Sequence, residues 1–308
     1  MHIIRSGLSA LVCMILTAAS VSAQESGLAF LRSGTNAEAA AMGDAQVASS
    51  RDAFSTYWNP AGLAGGTQNS ASGSYHAWIG DTQIFAAAVR LGVGENSGFG
   101  FHVTASGTDD LQARDEPGPS DGDFSVQFVN AGASYGRSIG PMRAGVTAKY
   151  LTERIFTESS SGYGFDFGVQ ADLLADGLYL GASLQNVGRM TDLVDEATEL
   201  PTLIRVGAAF FPLRVLMSQD DATVLKTVIT GEVVHVFPEE VTQLHVGVGA
   251  EVLDIIELRA GYISNDSLRR YSFGLGFGYE GVVFDYAFLP FESGFDGPGH
   301  VLTLTYEW

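Results

Sequence analysis

Cysteine is nearly absent from this chain. The single one, Cys13, lies inside an apolar stretch near the start, so neither a disulfide framework nor Cys-based metal or nucleophile chemistry is available to the residues beyond it. Basic residues are scarce as well. Sixteen Lys and Arg stand against 35 Asp and Glu, a net charge of −19, which argues against nucleic acid as a partner, because binding a phosphate backbone needs a basic footprint. After residue 23 the chain also lacks any run of 18 uninterrupted apolar residues, which excludes a helical membrane span.

What the chain does have starts with an export signal. Arg5, the apolar run Leu8 to Ala19 and Val21-Ser22-Ala23 make the three parts of a secretory leader, residues 1–23, with cleavage expected after Ala23. Beyond it, 38 glycines, 11% aromatics and no apolar helix pattern read as one all-β unit. The main signal is strict alternation. Tyr271, Phe273, Leu275, Phe277 and Tyr279 oppose Ser272, Gly274, Gly276, Gly278 and Glu280. Phe165, Phe167 and Val169 likewise oppose Asp166, Gly168 and Gln170, and Leu244, Val246 and Val248 oppose His245, Gly247 and Gly249. Period two places such sets on opposite faces of a sheet. Fourteen segments are predicted, roughly 70–79, 82–91, 97–106, 124–138, 142–152, 161–173, 178–187, 202–211, 223–235, 241–252, 255–263, 270–280, 281–289 and 298–308. An even number of strands of about ten residues suits a 14-stranded antiparallel transmembrane β-barrel. A secreted sandwich is the competing reading, but its outer face would carry Lys, Glu and Thr rather than the Gly and Ser found here. Tyr271 and Tyr279 are eight residues apart, about 27 Å of strand and about 20 Å of height at a tilt of about 40°, which places a ring at each membrane interface.

Connections alternate in length. Segments 107–123, 153–160, 188–201 and 290–297 read as long outward loops, while 139–141, 174–177, 253–254 and Glu280-Gly281 read as tight inward turns, the asymmetry of an outer-membrane barrel. Residues 212–222 are too long for the inward set. The apolar phase switches between Phe128 and Val129, which predicts a bulge there and a candidate lateral defect. Asp109, Asp110, Asp115, Glu116, Asp121 and Asp123 form an acidic loop. Its two readings are a divalent-cation or lipopolysaccharide-bridging surface and a solvated acidic exterior.

Residues 24–69 do not alternate. Residues 36 to 42 suit one or two helical turns, since Ala and Glu are good helix formers that Asn36 can cap and Gly43 can stop, and Asn59-Pro60 demands a turn. A helix-plus-turn piece ahead of the barrel, residues 70–308, is expected to enter the lumen as a plug. Inward-phase charges, Arg90, Arg143, Lys149 and Arg205 with Asp166, Asp172, Glu251, Glu257, Arg259 and Asp285, must pair or be hydrated. They are expected to fasten the plug to the wall, and the inner glycines to give it room. His76, His102 and His245 share that phase. Ser74 beside His76, and His102 beside Thr104, lack a third member for nucleophilic catalysis, so no enzymatic activity, metal or cofactor is expected.

The run Phe30-Leu31, Gly34, Ala37, Ala39 to Ala45 with Gly43 inside it, Val47-Ala48, Asp52-Ala53 and Tyr57-Trp58-Asn59-Pro60-Ala61-Gly62-Leu63 resembles the opening of the PorV/PorQ family of outer-membrane proteins, relatives of FadL-type barrels. Glu38 stands where that family usually has Arg, and Asp44 where a second Gly often follows. The resemblance implies a role in type IX secretion, with cargo proteins and other secretion components as partners. It also implies that the ending Tyr306 and Trp308 is read by the barrel-assembly machinery, and that outer-membrane lipid and lipopolysaccharide surround the chain. The alternative is a FadL-like uptake route for hydrophobic molecules, and a blander one is a structural barrel.

Overall fold

The computed structural model describes residues 27–65, 68–113, 122–174, 177–216, 225–292 and 297–308; residues 1–23, expected to form a secretory leader, lie outside them. Fourteen antiparallel strands run β1 Ser70–Ala77, β2 Gln83–Val93, β3 Ser97–Ala113, β4 Gly122–Ile139, β5 Met142–Ile155, β6 Glu158–Leu173, β7 Leu178–Met190, β8 Leu203–Phe210, β9 Leu225–Val236, β10 Val241–Val252, β11 Ile256–Ile263, β12 Tyr271–Tyr279, β13 Val282–Leu289 and β14 Gly299–Glu307. Each pairs with its sequence neighbour, and β1 closes the ring on β14 from Ser70↔Glu307 to Ala77↔His300.

Alternation decides which way each side chain faces. On β12, Tyr271, Phe273, Leu275, Phe277 and Tyr279 are exposed on the outer wall, and the equivalent sets on β5, β6 and β14 do the same, so the barrel presents a continuous apolar exterior. That is the surface of a barrel meant for hydrocarbon. Tight turns follow β10 and β12, where Leu253, Asp254, Glu280 and Gly281 all take positive φ, the two-residue hairpin geometry that matches strand twist. We call that end the turn rim and the other the loop rim.

The wall is taller on one side. Strands β3 to β6 are 17, 18, 14 and 16 residues long, whereas β1, β8, β11 and β13 have eight. Most of the segments 107–123 and 153–160, read as loops from sequence, are therefore strand. The hydrogen-bonded ladders of β3 with β4 and of β5 with β6 run on past the last outward aromatic residues. Asp109, Asp110 and Asp123 belong to β3 and β4, and residues 115, 116 and 121 lie outside the described chain. The over-long inward segment opens with a helical turn, α3 Pro212–Leu216.

No bulge exists at Phe128-Val129, where β4 keeps register with both neighbours. The apolar phase changes because the inner wall itself becomes apolar: Phe128 faces inward and stacks on Phe30 at 5.7 Å, while Val129 faces out. The real irregularities fall between Thr108 and Leu111 and opposite Asp166 on β7. In the second, Asn186 takes φ 60° and Gln185 and Asn186 both turn into the lumen, buried. A bulge aims two consecutive side chains at one face.

Candidate functional site

The lumen is filled by the chain's own residues 27–65. They form a 3-10 turn at Ala29–Leu31, the helix α1 Ala37–Ala41, the helix α2 Ser55–Trp58 and a second 3-10 turn at Pro60–Ala64. Ala37, Ala39, Ala40 and Ala41 bury because only methyl-sized side chains let α1 approach β11 to β14. The wall yields in the same way. A Cβ on Gly145 or Gly168 would overlap Pro60 or Asn59, and one on Gly261 would overlap Gly43.

Asn59 carries the most hydrogen bonds of the motif. Its Nδ2 donates to the carbonyls of Val47 (2.7 Å), Val169 (3.1 Å) and Ala182 (3.4 Å), while its Oδ1 accepts the Ala61 N–H (3.1 Å). Extended at φ −161°, it caps the turn that Pro60 begins. Gly62 sits against the Ser50 carbonyl with no room for a side chain. Gly43 takes φ 64° and its carbonyl accepts from His245 Nδ1 at 2.7 Å. Asn36 precedes α1 without capping it; its Oδ1 accepts the Trp58 Nε1–H instead, at 3.0 Å.

The inward charges divide into two groups. Arg90 donates to the carbonyls of Leu63 and Gln68, Arg143 pairs with Asp172, and Asp172 also takes Arg51 of the plug at 2.9 Å. Arg205 pairs with Glu232 at 2.7 Å and lies 5.0 Å over Trp58, and Glu232 accepts the Val47 N–H. These tie wall to plug. Lys149 with Asp166 (2.7 Å), Arg259 with Asp285 and Glu257, and Glu251 with Lys226 (3.5 Å) tie wall to wall. Sequence reasoning missed three contacts. Arg269 of the β11–β12 loop pairs with Asp44, Arg32 pairs with Glu239, and the bulge residue Gln185 donates to the carbonyls of Tyr57 and Trp58 at 2.9 and 2.8 Å. The break in outward spacing between Leu184 and Val187 was the available signal for the last.

The histidines are structural in geometry. Buried His102 meets Thr56 through Nδ1 (2.9 Å) and Asn130 through Nε2 (3.2 Å), and His76 meets Ser74 at 3.2 Å. At the end of the chain Tyr306 and Trp308 stack outside the barrel at 5.6 Å.

Two cavities flank the plug. The one at the loop rim, about 550 Å³, is walled mainly by Leu28, Phe30, Trp78, Phe128, Leu203 and Val236. Of the charged groups at its edge, Arg32, Asp44, Arg205, Glu239 and Arg269 are each in an ion pair, and Asp266 accepts the backbone N–H groups of Leu268 and Arg269, so the space is mainly apolar with its charge held at the edge. The one at the turn rim, about 540 Å³, is polar, with Glu38, Gln46, Arg51, Asp52 and Arg90 in its wall. Arg205 borders the first and Trp58 the second, so their stacked pair is part of the partition. Burial, reinforced by Glu38, pushes the carboxyl of half-buried Asp52 up to about 7.

Comparison with solved structures places this architecture. The Ralstonia pickettii toluene transporter TbuX is similar with a TM-score of 0.60 at 14% identity, over 89% of this chain and 98% of that one. The fold is that of the FadL-type barrels. The monoaromatic hydrocarbon channel CymD matches with a TM-score of 0.61 at 11% identity, over 92% of this chain and 98% of that one, and a Pseudomonas aeruginosa FadL homologue with 0.54 at 11%, over 89% and 98%. No family model matches the chain, and no curated protein does.

Proposed function

We propose that the chain is a non-enzymatic outer-membrane barrel that admits a small, uncharged hydrophobic molecule at its loop rim. The observation that carries this is the loop-rim cavity: mainly apolar walls, all but one of its charged side chains held in ion pairs, and a volume within the roughly 300–1,000 Å³ of ordinary ligand sites. The apolar exterior supports insertion in a bilayer, with the loop rim outward and the turn rim in the periplasm after export and removal of residues 1–23. The similar folds belong to a toluene transporter and a monoaromatic hydrocarbon channel, which favours this reading over the type IX secretion role implied by the PorV/PorQ resemblance. That role draws on the resemblance carried by the stretch from Phe30 to Leu63, about a tenth of the chain.

The test is binding of naphthalene to the purified protein, read as quenching of Trp78 in a chain whose Trp58 and Trp308 are replaced by Phe. Saturable quenching, lost in Leu203→Asp while the barrel keeps its heat-resistant mobility on gels, is the expected result. Quenching that rises linearly with probe and is unaltered by Leu203→Asp would overturn the reading.

A further inference from the structure

We propose that the outer wall carries a binding site for a phosphorylated saccharolipid of the outer leaflet, formed by β4 to β7 just above the apolar belt. It rests on the membrane placement of the barrel and is independent of what the lumen admits.

Consider the outward residues of β5 and β6 from the turn rim upward. From Met142 to Tyr150 on β5 and from Leu173 to Tyr163 on β6 they are apolar or aromatic, and Tyr150 and Tyr163 pair directly, both exposed. Eight residues of strand from Met142 to Tyr150 at a tilt of about 40° span about 20 Å of height, so these tyrosines mark the upper edge of the hydrocarbon. Immediately above them the wall changes character. Thr152 pairs with Ser161 and Arg154 with Ser159, and Gln127 of β4 lies beside Arg154. Together they line a groove of about 440 Å³ on the outside of the barrel, with Tyr150 as its lower border. The one carboxylate residue in its lining, Glu153, has its side chain buried in the opposite direction, where it accepts from Thr198.

One guanidinium lines this groove and a second lies beside it, outside the lining. Arg154 stands at its upper end. Arg189 of β7 pairs with Tyr163 and lies over that ring at 5.6 Å, at the level of the lower border. From Ser159, the partner of Arg154, to Tyr163, the partner of Arg189, is about 13 Å of strand, the length of a disaccharide. Among the described residues neither arginine has an acidic partner, whereas Arg32, Arg269 and Arg270 of the same rim are held by Glu239, Asp44 and Glu292. In a chain with 35 acidic and 16 basic residues, two unmatched cations on the lipid-facing side at headgroup depth are a departure that complementary charge explains. Guanidiniums bind phosphate in a bidentate manner, hydroxyls and the amide of Gln127 suit sugar hydroxyls, and the tyrosine faces suit the first methylenes of the acyl chains. A zwitterionic phospholipid offers the phosphate but none of the sugar contacts.

The experiment uses the full mature chain in nanodiscs made of phosphatidylcholine with a few per cent of one test lipid: diphosphorylated lipid A, its dephosphorylated form, or phosphatidylglycerol. Lipid retained on the protein after dilution into detergent is counted by native mass spectrometry. Wild-type chain is expected to retain diphosphorylated lipid A in preference to the other two. Arg154→Ala with Arg189→Ala should lower that affinity about thirtyfold, and Arg154→Glu should lower it as well, all variants keeping the heat-resistant mobility of the folded barrel and wild-type naphthalene binding. Equal retention of phosphatidylglycerol and lipid A, or retention unchanged in both variants, overturns the proposal. Loss of naphthalene binding with intact lipid retention would count against the uptake reading alone.

Discussion

Arg205 is the residue where wall, plug and the loop-rim cavity meet. Its guanidinium is fully buried, paired with Glu232 and stacked on Trp58. Arg205→Ala leaves Glu232 buried without its counter-charge and is expected to destabilise the barrel by about 3–5 kcal/mol, measured as the urea midpoint of reversible unfolding from lipid vesicles; a change below about 1 kcal/mol contradicts the pairing. Asp52 gives a pH signature. Its folded-state value of about 7 lies above the 3.8 of a free aspartate, so ionising it costs the folded chain stability. That cost is absent below about pH 4, grows through the interval and is complete above about pH 7. Asp52→Asn should therefore raise the unfolding midpoint at pH 8 and leave it unchanged at pH 4; an equal shift at both pH values would speak against the burial argument.

At the scale of elements, the plug and the glycines facing it are two halves of one fit. Gly145 and Gly168 meet the Asn59-Pro60 turn at backbone distance, so Gly145→Val is expected to displace the plug while the strands, paired on both sides of β5, remain closed. Increased entry of a bulky antibiotic into cells, with heat-resistant mobility retained, is the measurement. Replacing Asn59 and Pro60 by Ala should act in the same direction, because Asn59 alone supplies four hydrogen bonds at the turn. Unchanged permeability in all these variants contradicts a closing role. The strands were legible in sequence because their side chains face two different solvents, and period two records that division residue by residue. The bulge was not, for the same reason. A break in apolar phase at Phe128-Val129 came from a change in what the lumen contains, while the similar break between Leu184 and Val187 came from the backbone. Ion pairs such as Arg269 with Asp44 join residues more than 220 positions apart, and no local pattern announces them.

For the whole molecule, the account joins a closed wall, a lumen occupied by residues 27–65 and a mainly apolar cavity at the loop rim. Fold class was readable from periodicity, and the motif around Asn59 marked where the plug turns. The loop-rim cavity was not readable, because its walls come from the plug, from β2, β3, β4 and β8 to β11, and from the loops after β1, β9 and β11, brought together only by barrel closure. The central claim is that no continuous aqueous path crosses this barrel. Single-channel recording of the purified chain in planar bilayers tests it most directly. A quiet, near-zero conductance that becomes large on deletion of residues 27–65 is the predicted result. A large, ohmic conductance in the intact protein would contradict it.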